Sequence, residues 1–174
     1  MVHLITLYGK DDSHKHLFTL LTFLNNANIA YIAVDSDSHV YRNFEHELSV
    51  IITETDNEAS LSHKGDILII KKEINDKKFS LMEKDFCITI ISDNITPQIC
   101  DADKEQRIIT CGTHQKSSVT VSSNNDENLC VFIQRKLHTL SGRTIDPQEL
   151  VLPIRENSDA YDIMSSSISL LLLS

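Results

Sequence analysis

Apolar residues fall into short runs along the chain, and the first three runs differ in period. Residues 2–8 (VHLITLY) are apolar, β-branched and aromatic, which predicts a buried strand. Gly9 ends this run, and Lys10, Asp11, Asp12 and Ser13 follow. From His14 onward, Leu17, Phe18, Leu20, Leu21, Phe23 and Leu24 recur at the spacing of an amphipathic helix. Asp12 or Ser13 is placed to cap its first turn, and Asn25-Asn26 closes it. Residues 29–34 (IAYIAV) form a second strand, ended by Asp35-Ser36-Asp37. Strand, helix and strand in this order make a βαβ unit with a right-handed crossover.

Further apolar runs lie at 48–53 (LSVIIT), 66–71 (DILIIK), 86–92 (FCITIIS) and 107–112 (RIITCG). Each is short and apolar on both alternating faces, as expected of parallel strands covered on two sides. The polar connections between them leave little room for full crossover helices. Beyond Gly112 the alternation becomes cleaner. Residues 118–123 (SVTVSS) and 128–135 (NLCVFIQR) flank Asn124-Asn125-Asp126-Glu127, which predicts an antiparallel hairpin. After a short run at 149–154, a terminal helix is predicted over 159–173, with Tyr161, Met164, Ile168, Leu171 and Leu172 on one side. The reading is one α/β domain with a mostly parallel sheet and flanking helices. Its parallel core spans 1–112, its antiparallel part 113–155 and its C-terminal helix 156–174.

Composition narrows the function more than the fold. The 174 residues carry Lys+Arg 16 against Asp+Glu 25, a net charge of −9 that argues against a nucleic-acid partner. Hydrophobic residues at 41% and charged residues at 24% argue against global disorder. No apolar run is long enough to span a bilayer, and the start of the chain has no basic region or cleavage site, so the expected setting is the cytoplasm without membrane contact. Four cysteines without a CxxC pair fit that reducing compartment. Cys87, Cys111 and Cys130 stand in apolar runs and read as buried hydrophobes. Only four glycines are present, in a fold class whose phosphate sites are usually built from glycine.

The first strand-to-helix turn is where chemistry is expected, because α/β sheets bind ligands at the carboxyl ends of their strands. A phosphate loop reads G-x-x-x-x-G-K-[ST], and residues 9–16 reproduce its spacing with Gly9, His14, Lys15 and His16. Gly9 and Lys15 match. His14 replaces the second glycine, and His16 replaces the hydroxyl that would ligate magnesium. Asp11 and Asp12 add negative charge where a triphosphate needs positive potential. The candidate phosphate-binding residues are therefore Gly9, Lys15 and His16 in a degenerate loop. No catalytic or metal-binding residue is assigned.

The chain as a whole resembles the central, ATP-binding domain of the Mur ligases, a P-loop-NTPase-like fold. Residues 9–16 lie where that family carries its phosphate loop. Residues 85–96 are similar to its strand, T-N-I and D-H segment, with Thr89 matching, Ile90 in place of asparagine, and Asp93-Asn94 near the Asp-His pair. Residues 107–123 resemble its late strand, glycine and hairpin, and residues 129–142 the hairpin strand that follows. Residues 66–73 fall where the family has a strand ending in a magnesium-binding glutamate; here Lys71 and Lys72 stand at the end and Glu73 comes late. The resemblance implies a bacterial ligase scaffold using ATP and magnesium. The altered positions imply that catalysis has been lost and that no cofactor is bound.

Other clusters read as ordinary structure. Cys111 and His114 suggest a buried thiol beside an exposed ring, residues 113–118 a solvated loop, and Lys71, Lys72, Lys77 and Lys78 a solvated face. His14 and His16 point in different directions on a helix start and do not share a metal ion. The closing leucines of 168–173 require cover, from this chain or a second copy. Two functions follow. One is a non-enzymatic regulatory or protein-interaction module whose partner is another protein or a second copy. The other is a residual ATP- or phosphate-binding protein, or a ligase-related enzyme that needs a partner subunit, with Lys15 contacting phosphate.

Overall fold

In the computed structural model the described residues are 1–10, 13–44, 46–57, 61, 64–71, 85–95, 107–154 and 158–174. The predicted first strand is β1 (His3–Tyr8), and the predicted first helix is α1 (Lys15–Asn26). The remaining strands are β2 (Tyr31–Val34), β3 (Val40–Asn43), β4 (Val50–Thr55), β5 (Lys64–Ile70), β6 (Asp85–Ser92), β7 (Arg107–Gly112), β8 (Val119–Asn124), β9 (Asn128–Ile133), β10 (Leu137–His138), β11 (Thr144–Ile145) and β12 (Gln148–Pro153). The chain ends in α2 (Ala160–Leu172). Ten strands form one sheet in the order β12-β9-β8-β7-β6-β5-β1-β4-β2-β3, and β10 pairs with β11 apart from it.

Pairing is parallel from β2 across β4, β1, β5, β6 and β7 to β8. It turns antiparallel at both margins, between β2 and β3 and across β8, β9 and β12. The predicted hairpin over 124–127 is present. Asn125 Oδ1 accepts hydrogen bonds from the amides of Glu127 and Asn128 and closes the turn. β4 intervenes between β1 and β2, so the βαβ unit skips one strand. The sequence did not signal β3, β10 and β11, because four- and two-residue strands with exposed positions carry too little pattern.

Both helices of the described residues pack into the main core with Ile5, Leu7, Ile67, Ile69, Ile88 and Ile90. A smaller cluster of Tyr8, Leu61, Leu68, Ile70, Phe86 and Ile91 is separate from it. α2 is buried at every position from Tyr161 to Ser169. Its serines make that enclosure practicable: small side chains admit close neighbours, and Ser165, Ser167 and Ser169 return their hydroxyls to backbone carbonyls of the same helix. Ile168 and Leu172 are fully covered, and the Leu172 carbonyl accepts from the Leu140 amide. Leu170, Leu171 and Leu173 pack against the same core but stay partly exposed.

Cysteine burial corrects one expectation. Cys111 is buried and Cys130 half-buried, but Cys87 is exposed, at the third position of β6. Cys100 lies outside the described residues.

Candidate functional site

The carboxyl ends of β1, β4 and β5 and the β2–β3 turn meet at the start of α1. Gly9 is buried at φ 129, a conformation that favours glycine, and its amide donates to the Thr55 carbonyl at 3.1 Å. The N-cap of α1 is His14, at φ 50 and ψ 27, and its side chain makes no capping bond. This corrects the expected cap at Asp12 or Ser13; Asp11 and Asp12 lie outside the described residues. A left-handed backbone at a non-glycine residue is unfavourable by about 1 kcal/mol. It is held by what the imidazole touches.

His14 Nδ1 lies 2.5 Å from Glu54 Oε2, and Nε2 lies 3.1 Å from Asp37 Oδ2 and 4.0 Å from Asp35 Oδ2. Ionised carboxylates only accept, so both ring nitrogens must donate and the ring is an imidazolium. Burial works against that charge, but the bonds to Glu54 and Asp37 and the charges of Glu54 and Asp35 outweigh it and hold the pKa above the ordinary 6.5. Glu54 Oε1 accepts from Lys71 Nζ at 2.5 Å, with side chains 0% and 4% exposed. A row of charges, positive, negative, positive and negative, thus runs from Lys71 through Glu54 and His14 to Asp37.

Asp35 anchors the far end. Its carboxylate accepts from the amides of Asp37 and His39, the His39 ring and the Tyr41 hydroxyl. Burial raises its pKa, but the His39 amide, Tyr41 and the His39 ring more than reverse this, and the net shift is downward. The same bond to Asp35 is the main cause of the raised Tyr41 pKa.

The predicted phosphate-site residues separate in space. Gly9 and Lys15 stay at the turn, with Lys15 exposed in the first turn of α1. His16 does not join them. Its side chain is buried between the helices, Nε2 at 2.8 Å from Ser165 Oγ and Nδ1 at 3.2 Å from Asp162 Oδ1, and its ring stands edge-on to Tyr161 at 5.6 Å. Helical rotation explains this: His16 shares the inward face of α1 with Leu17, Leu20 and Leu24. Glu54 and Asp37 were missed, because the sequence reading ended the strand at Thr53 and took Asp37 as a stop signal. The available signal was a lone carboxylate continuing the alternation of VIITET.

Magnesium and a triphosphate, which the resemblance implies, do not fit these residues. The position of the second loop glycine carries an imidazole already bonded to Glu54. The strand end expected to bear a metal-binding glutamate carries Lys71, itself buried in an ion pair. Among the described residues no group of three His, Cys, Asp or Glu is placed to hold a metal ion. Lys72, Glu73, Lys77 and Lys78 lie outside the described residues.

A second cluster lies at the carboxyl ends of β6 and β7. Asp93 Oδ2 accepts from the His114 amide at 2.9 Å, His114 Nδ1 at 2.8 Å and Ser117 Oγ at 3.1 Å. Burial raises the Asp93 pKa, but the His114 and Ser117 bonds prevail and hold it below the ordinary 3.8. The carboxylate lies over Gly112, where an added Cβ would fall 1.8 Å from Asp93 Cγ. Cys111 is fully buried, and burial first, then the Asp93 charge, pushes its thiol pKa well up. A thiol so hard to ionise is no nucleophile.

No family model and no curated protein matches this chain. Among solved structures it is similar to a UDP-N-acetylmuramoyl-L-alanyl-D-glutamate–2,6-diaminopimelate ligase, with a TM-score of 0.65, 6% identity, and coverage of 97% of this chain and 42% of that one. A bifunctional folylpolyglutamate synthase/dihydrofolate synthase with Mn, AMPPNP and L-glutamate bound gives 0.63 at 10% identity, covering 99% and 54%. A murein peptide ligase from Psychrobacter arcticus gives 0.60 at 7% identity, covering 99% and 43%. The fold is that of the Mur ligases, a mostly parallel α/β sheet, and the chain spans about half the length of these neighbours or less. No helix among the described residues is long and apolar enough to cross a membrane.

Proposed function

We propose that this chain, folded as part of a Mur ligase is folded, is a catalytically degenerate form of that scaffold and acts without chemistry of its own, as a regulatory or protein-interaction module. The observation that supports this reading is the filled turn: His14 sits on Glu54, and Glu54 on Lys71. Phosphoryl transfer requires metal ions and oriented donors around the charge that develops on the phosphoryl group. His14, Glu54 and Lys71 satisfy one another and are not free to serve as those donors. Turnover of ATP with magnesium tests it: the wild type should release no phosphate above the rate of a Lys15→Ala control. Phosphate release that depends on Lys15 would remove the reading.

One observation favours a second reading, a residual ATP or phosphate binder or a ligase-related enzyme that needs a partner subunit. Lys15 is exposed in the first turn of α1, the end of a helix that attracts anions. Partners of either kind, another protein or a second copy, would then be sought by mixing experiments at fixed ATP. A cytoplasmic setting and absence of nucleic-acid binding accompany both readings.

A further inference from the structure

We propose that His14 is a proton-dependent clasp that ties the start of α1 to the end of β4 and to the β2–β3 turn, and that loss of one ring proton releases these three elements from one another. The proposal deepens the reading of the filled turn by naming what keeps it filled.

The geometry requires a proton on each ring nitrogen. Nδ1 faces Glu54 and Nε2 faces Asp37, with Asp35 behind it. A neutral imidazole has one donor, so one nitrogen would then present a lone pair to a carboxylate oxygen at contact distance. That arrangement is repulsive, and the contact must open. His14 is also the residue where the backbone is left-handed, so the contact that opens is the one holding the strained N-cap. Among the described residues, the charged groups that face the ring are Glu54 from β4, with Lys71 from the end of β5 behind it, and Asp35 and Asp37 from the β2–β3 turn. The Phe18 ring meets it edge-on at 6.3 Å from α1. His39 touches Asp35 from the exposed side of the turn.

Nuclear magnetic resonance on the full chain reads this directly. Ring nitrogen shifts of His14 are followed from about pH 5 to about pH 9, the range in which histidine changes charge. Backbone amides of residues 13–16, 35–39 and 54–55 are followed in the same samples. The expected result is a ring protonated on both nitrogens at neutral pH, deprotonating above 6.5, with all three segments shifting at that midpoint. In His14→Gln, which cannot titrate at this position, the shift at residues 54–55 should vanish. A ring with a single proton at neutral pH, or segments that do not move at its midpoint, would overturn the clasp. ATP turnover is a separate readout, so the degenerate reading and the clasp fail independently.

Discussion

The turn after β1 and the turn after β7 stand at the same edge of the sheet and solve the same problem with opposite charges. After β1 a cation is central: His14 bridges Glu54 and Asp37, and Glu54 needs Lys71 as well. After β7 an anion is central: one carboxylate, Asp93, collects a backbone amide, a ring and a hydroxyl over a glycine. Backbone amides keep their protons, whereas an imidazolium can lose its own. The Asp93 turn keeps its amide donor at any ordinary pH, whereas the His14 turn rests on a ring proton. The two closures therefore respond to pH from opposite ends of the scale.

Four changes sharpen this contrast, in falling order of effect. Glu54→Gln leaves Lys71 buried without a charge partner and should lower unfolding free energy by about 3–5 kcal/mol, read from urea denaturation. Gly112→Ala drives a methyl into the Asp93 carboxylate and should cost about 2–3 kcal/mol through overpacking and loss of the three bonds. A loss under ~0.5 kcal/mol would mean that Asp93 has another seat. Asp93→Asn and His14→Gln should each cost about 1.5–3 kcal/mol near neutral pH, the range for hydrogen bonds to a charged group. Their pH dependence should be opposite. The folded pKa of His14 is raised, so its contribution is complete below 6.5 and is lost as pH rises through the higher folded value. Asp93 is lowered, so its contribution is complete above 3.8 and is lost as pH falls through the lower folded value. Urea midpoints across pH should lose their alkaline slope in His14→Gln and part of their acid slope in Asp93→Asn.

Much of the sheet was legible because buried parallel strands are apolar throughout, and β1, β5, β6 and β7 each carry such a run. The hairpin at Asn125 was legible from its turn chemistry. The edge strand β3 was not, because VYRN is half-exposed and four residues long. At the site, the strand-to-helix turn was legible from spacing, but its cap was not, since His14 takes the place expected of Asp12 or Ser13. The inward direction of His16 depends on the rotation of α1 against α2, whose Asp162 and Ser165 lie far away in sequence. The link from His14 to Glu54 spans 40 positions and exists only because β4 pairs with β1. Long-range pairing of this kind leaves no local mark.

Isothermal titration of the wild-type chain with magnesium and ATP addresses the filled turn most directly. The account predicts no saturable heat up to millimolar nucleotide. Saturable binding that disappears in Lys15→Ala would contradict it, because a triphosphate would then be seated where the imidazolium is described.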